Sequence, residues 1–107
     1  MRLLLALLIL TAAIVSCPVL AQDVYRVGQK DKKFTAEELV VKKGDTVVFG
    51  NDDPFFHNVF SLSSTATFDL GSYPKGESKS VVFSETGEVE VDCAIHPSMR
   101  LKITSSK

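Results

Sequence analysis

Asp92-Cys93-Ala94-Ile95-His96-Pro97-Ser98-Met99 sets a thiol, an imidazole and a thioether at intervals of three residues. One tight loop at that spacing can aim all three side chains at a single point. Sulfur ligands are soft, and a thiolate combined with imidazoles and a weak thioether selects copper among the common metals. The chain has only one further histidine, His57, in Phe55-Phe56-His57-Asn58-Val59 after the turn-rich Asn51-Asp52-Asp53-Pro54. The candidate metal ligands are therefore His57, Cys93, His96 and Met99.

The residues leading into and out of this loop are strands, and their alternation states which way the candidates face. In Glu88-Val89-Glu90-Val91-Asp92-Cys93 the odd positions are apolar and the even ones acidic, so Cys93 shares the inward phase of Val89 and Val91. Leu101 and Ile103 alternate with Arg100, Lys102 and Thr104, which puts Met99 in the same inward phase if the strand extends that far. His57 is in phase with Val59, and Pro97 stiffens the connection between His96 and Met99. Cys93, Met99 and His57 thus converge on one end of a β-structured interior.

Working outward, the chain reads as short strands between turn signals, with no convincing helical period. Strands are expected at Val24–Val27, Leu39–Val41, Thr46–Phe49, His57–Phe60, Phe68–Leu70, Lys79–Phe83, Glu88–Cys93 and Arg100–Thr104. Lys42-Lys43-Gly44-Asp45 predicts a hairpin between the second and third of these, with glycine at the tight position. Ser61–Thr67 is read as loop with room for a short helix, and Gly71–Gly76 as loop by composition. Seven or eight strands at roughly ten-residue intervals make the chain all-β, a sandwich or small barrel.

The start of the chain has a different character. Arg2 precedes thirteen largely apolar residues, Leu3 to Val15, fewer than the about 20 a membrane span needs. This reads as a signal peptide over residues 1–21, with Pro18 breaking the segment and cleavage after Ala21. Ile14-Val15-Ser16-Cys17 also fits a lipobox, in which Cys17 would carry a lipid anchor. Either route exports the protein, and the periplasm is its expected location, with metal acquired there. Residues 22–107 form one small domain without a stable membrane span, expected to be a monomer. Losing Arg2 leaves eleven Lys and Arg against thirteen Asp and Glu, and no basic patch recommends nucleic acid.

Composition sharpens the metal reading. After the ordinary cut Cys93 is the only thiol, so no internal disulfide is available, and coordination gives an unpaired exported cysteine a purpose. Apart from Met1, every His and Met of the chain falls in the four-residue constellation. Zinc is the alternative metal, but a structural zinc site prefers more cysteines. A hydrolytic enzyme has less support, since an inward Cys93 leaves no room for a substrate carbonyl and no phosphate-binding glycine loop is present.

These residues resemble the cupredoxins, the type 1 blue copper proteins of the plastocyanin and amicyanin kind. The likeness is carried by Asp52–Val59 with its His57-Asn58-Val59, by Gly44-Asp45-x-Val47-x-Phe49-x-Asn51, and by Cys93-x-x-His96-Pro97-x-Met99, whose short spacing is amicyanin-like. The resemblance implies a Greek-key β-sandwich, a trigonal copper held by His57, Cys93 and His96, and a long axial bond to Met99. It also implies that Asn58 ties the His57 strand to the Cys93 loop. Asp92 stands where many relatives carry an aromatic residue, so an electron exit beside that aromatic does not transfer. The implied function is one-electron transfer by Cu(II)/Cu(I) between redox partner proteins that dock near His96, with Ile95, Pro97 and Phe55 or Phe56 forming an apolar patch. Phe49, Phe55 and Phe56 are expected to tune the site by packing around the sulfur. A periplasmic copper carrier or chaperone that hands on the metal is the alternative, although the chain has no spare Met or His for ligand exchange.

Overall fold

A computed structural model describes residues 22–107, and among these there is no helix. Nine strands run in the order β1 Val24–Lys30, β2 Lys33–Phe34, β3 Glu38–Lys42, β4 Thr46–Asn51, β5 His57–Ser61, β6 Phe68–Tyr73, β7 Ser78–Val82, β8 Gly87–Cys93 and β9 Arg100–Ser106. They form two sheets, β2-β1-β4-β7 and β3-β9-β8-β5-β6. The pairs β1/β4 and β3/β9 are parallel and the others antiparallel. This is the expected sandwich. Residues 1–21, where a signal peptide is expected, lie outside the described residues, and Cys17 with them.

Each strand contributes its apolar phase to the space between the sheets, as period-two alternation requires. Val47 and Phe49 from β4, Val59 from β5, Val89 and Val91 from β8, and Leu101 and Ile103 from β9 are all buried. A run of aromatic rings crosses the layers: Phe34 packs edge-on to Phe49 at 6.4 Å, Phe49 faces Phe68 of the other sheet at 6.2 Å, and Phe68 meets Phe83 at 6.3 Å. Tyr73 adds a polar tie between sheets. Its hydroxyl donates to the Phe49 carbonyl at 2.9 Å and accepts from Gln29 Nε2 at 3.0 Å, with all three residues buried.

Three local expectations need correction. Lys42–Asp45 does not close a hairpin, because β3 pairs with β9 and β4 with β1 and β7. It is a tight turn, with Asp45 N–H donating to the Lys42 carbonyl at 2.9 Å and Gly44 at φ +95°, that carries the chain from one layer to the other. Alternation reports which face of a strand is inward and is silent about its neighbour, so both arrangements give the same pattern. Gly71–Gly76 is also not all loop, since β6 continues to Tyr73.

The third concerns the stretch after β1, where no strand is expected and β2 forms. Lys30 pairs with Lys33 across a two-residue turn, Asp31-Lys32, whose φ values are 55° and 57°. Such a turn usually announces itself with Asn-Gly or Asp-Gly. Here glycine is absent and the turn is supported from outside: both of its N–H groups donate to the Asp53 carboxylate, Asp31 at 2.7 Å and Lys32 at 3.0 Å.

Candidate metal centre

At one end of the sandwich, β5 and the β8–β9 connection bring three donors together. His57 opens β5 and is buried, because Ser61, Val59 and His57 occupy one inward phase. Cys93 closes β8 in register with Val59 of β5, which places its sulfur beside the imidazole. The connection then turns at once, with Met99 N–H donating to the His96 carbonyl at 2.9 Å, and brings the partly buried His96 back over the same point. Met99 ends that turn, buried in the core beside Leu101 and Ile103.

The donor atoms His57 Nδ1, Cys93 Sγ and His96 Nδ1 lie 3.7, 3.9 and 3.2 Å apart for the pairs Cys93–His57, Cys93–His96 and His57–His96. The point equidistant from these three atoms in their plane is about 2.1 Å from each, close to the bond lengths of about 2.0–2.1 Å to nitrogen and about 2.3 Å to sulfur that a first-row metal makes. A trigonal N₂S set followed, three residues after its last imidazole, by the buried thioether of Met99 is the donor chemistry of a type 1 copper site. The residues fit the ion.

The surroundings hold these donors still. His57 Nε2 is 2.6 Å from the buried Asp53 Oδ2, which leaves Nδ1 facing the other donors. The Phe55 ring packs against both imidazoles, at 5.3 Å from His57 and 5.3 Å from His96, and Lys32 Nζ lies 5.6 Å from its centroid. Asn51 anchors the ligand loop by donating from Nδ2 to the carbonyls of Phe55 at 2.8 Å and Tyr73 at 2.9 Å, while its Oδ1 accepts the Asp53 N–H at 2.8 Å. Burial would raise the Asp53 carboxyl, but the bond to His57 and the N–H groups of Lys32 and Asp31 outweigh it and hold the group below the usual carboxylate range. His96 is held below the ordinary histidine value, by its partial desolvation first and then by His57 and Lys32. Asp92, beside the cysteine, is pushed up by burial and by Glu90, with Arg100 opposing.

The role implied for Asn58 is filled by a different atom. Its backbone N–H donates to Cys93 Sγ at 3.4 Å, whereas its side-chain Oδ1 is buried without a partner. The β5–β8 pairing therefore makes the link. Of the three phenylalanines expected around the sulfur, Phe55 packs on the imidazoles and Phe49 belongs to the cross-sheet aromatic run. Phe56 is 54% exposed. Asp53 carries one legible sequence signal of this role, a position four residues before His57 within the turn-rich segment.

A two-sheet sandwich that gathers a thiol and two imidazoles at one end is a cupredoxin. A family model described as copper binding proteins, plastocyanin/azurin family, matches residues 21–105, and the chain belongs to that family, with copper as its metal. Among curated proteins it is 34% identical to an amicyanin of Paracoccus denitrificans over 74 residues, covering 66% of this chain and 56% of that protein. It is 30% identical to an amicyanin of Paracoccus versutus over 93 residues, covering 80% of this chain and 70% of the relative. The chain thus spans little more than half of the first relative and about two thirds of the second. Among solved structures, the Cu(I) form of a methionine-to-alanine mutant of amicyanin superposes with a TM-score of 0.73 at 30% identity, over 80% of this chain and 85% of the other. A copper-containing nitrite reductase from Thermus scotoductus shares the fold, with a TM-score of 0.72 at 24% identity, over 78% of this chain and 22% of the enzyme.

Proposed function

We propose that the chain is an exported, periplasmic carrier of single electrons, with copper held by His57 Nδ1, Cys93 Sγ, His96 Nδ1 and the Met99 thioether. The observation that supports this best is the donor triangle, already sized for a metal and built from two anchored residues and one short turn. When bound, copper supplies a one-electron Cu(II)/Cu(I) couple. The protein's part is to keep the donors from rearranging: Asp53 and Phe55 clamp the His57 ring, β5–β8 pairing fixes Cys93, and the His96–Met99 turn fixes the rest.

His96 is the ligand nearest solvent, and we assign electron entry and exit to its surroundings. Ile95 is 49% exposed and Phe56 54%, each adjacent in the chain to a ligand histidine. A small apolar surface suits brief encounters with a redox partner protein. We read the chain as a carrier and not an enzyme, because His57, Cys93 and Met99 are buried and the exposed side chains next to the ligand histidines, Ile95 and Phe56, are apolar. The copper-chaperone alternative finds no support, since both histidines and Met99 already belong to the centre. Among the described residues no helix is long and apolar enough to cross a membrane.

A redox titration of the copper-loaded protein tests this reading. The expected result is a reversible one-electron couple with copper retained in both states. Release of copper on reduction would point to metal delivery instead.

A further inference from the structure

The loop between β4 and β5 carries a buried carboxylate that copper ligation itself does not use. Asp53 is 1% exposed, a costly location for a negative charge unless its oxygens are all engaged. They are: Oδ1 accepts the Asp31 N–H at 2.7 Å, and Oδ2 accepts the Lys32 N–H at 3.0 Å and faces His57 Nε2 at 2.6 Å. A carboxylate whose two oxygens already accept N–H groups is an acceptor toward the third partner too, so the proton of that contact belongs to Nε2. His57 Nδ1 then keeps a lone pair, and it points at Cys93 Sγ and His96 Nδ1.

We infer that Asp53 is a positioning residue of the metal centre: its buried carboxylate fixes His57 in the Nε2–H tautomer, with Nδ1 toward the metal, and sets a negative charge behind the ligand that favours the oxidised ion. The inference rests on the copper reading above. A carboxylate behind a metal-ligating histidine orients the ring and raises its basicity. In a desolvated setting its charge is weakly screened and acts on the metal through the imidazole. The Asp31-Lys32 turn belongs to the same device, because without its two N–H groups the carboxylate would be short of partners. This gives the glycine-free turn its function: the tip of the β1–β2 hairpin holds Asp53, Asp53 holds His57, and His57 holds the metal.

The test compares wild type with Asp53→Asn, which keeps the shape and removes the charge. In the copper-loaded proteins the ratio of oxidised-state to reduced-state affinity should fall about tenfold or more, a rise of about 59 mV or more in the one-electron potential. Asp53→Glu, which retains the charge, should lie between the two. Equal potentials for wild type and Asp53→Asn, with the thiolate-to-copper band retained, overturn the inference. Asp53→Asn also asks a buried amide to face N–H donors and can fail to fold, so a second measurement uses the wild-type full chain without copper. Nitrogen-15 NMR at about pH 9, where an ordinary imidazole is neutral, should find the His57 proton on Nε2 and Nδ1 bare. A proton on Nδ1 with Nε2 bare overturns the inference. That reading is independent of the metal: if wild type shows no copper couple, the copper proposal fails while the tautomer still decides the role of Asp53.

Discussion

Tyr73→Phe removes one oxygen from the interior and should cost far more than an average surface change. In the wild type the hydroxyl joins the two sheets, donating to the Phe49 carbonyl on β4 and accepting from Gln29 Nε2 on β1, while Tyr73 itself is on β6 in register with His57. Gln29 is already under-satisfied, its buried Oε1 finding no partner among the described residues. The substitution would leave its amide with no bond at Nε2 and strip the Phe49 carbonyl of the hydroxyl. Each buried polar group left without its partner costs about 1–3 kcal/mol. The carbonyl has a second lone pair, so the total should be about 2–4 kcal/mol, against the about 5–15 kcal/mol typical of a whole domain. For a domain of this size that is a fall in Tm of roughly 10–30 °C. The assay is denaturant unfolding of the copper-free chain, which avoids the added stabilisation a bound metal gives the native state. The slope should be unchanged and the midpoint lower. Burial, the first cause, raises the Tyr73 hydroxyl above its ordinary value, so the phenol stays protonated throughout and the comparison is free of its titration. A loss below about 1 kcal/mol would refute the claim that this bond pair fastens the sheets beneath the ligand end.

Three further outcomes are expected. Met99→Leu conserves volume and should cost under about 1.5 kcal/mol, keep the thiolate-to-copper band and raise the potential, since a weak donor that favours Cu(II) is lost; an unchanged potential would reduce Met99 to core filler. Ile95→Lys should slow electron self-exchange while leaving the copper spectrum alone, and equal rates at matched ionic strength would remove the docking role of that surface. Asp45, buried in the turn between β3 and β4, is held below the usual carboxylate range by the N–H groups of Asp23 at 3.0 Å and Lys42 at 2.7 Å, against the opposing effect of burial. Its folded-state value being the lower one, its contribution is complete above the unfolded value of about 3.9 and is lost as pH falls through the folded value. Asp45→Asn should therefore be less stable than wild type at neutral pH, with the difference shrinking below about pH 4; parallel stability curves down to low pH would contradict this.

The parts of this fold that could be read from residues are those set by facing. Cys93 and His57 lie in the inward phases of β8 and β5, Met99 stands one residue before β9 in step with Leu101 and Ile103, and all three are buried. The spacing of Cys93, His96 and Met99 was legible because one turn, closed by a single bond from Met99 N–H to the His96 carbonyl, suffices to gather them. What alternation leaves open is lateral order. Val41 and Val47 look the same whether β3 and β4 are neighbours or, as here, belong to opposite layers joined by Lys42–Asp45. The β1–β2 turn was hidden because Asp31-Lys32 owes its left-handed conformation to a carboxylate 21–22 residues away, and no local pattern reports that distance. Asp53 was hidden for the same reason: an aspartate in a turn-rich segment is ordinary until the fold closes around it.

Cys93 as a copper thiolate is what makes the centre a type 1 site, and the visible spectrum of the Cu(II)-loaded chain tests that directly beside Cys93→Ser. An intense thiolate-to-copper band in the wild type, absent from a folded Cys93→Ser protein, is the predicted result, because a serine oxygen fills nearly the same space without the soft, covalent bond that produces the band. A Cu(II)-loaded wild type without the band, or a Cys93→Ser protein that keeps it, would contradict the assignment.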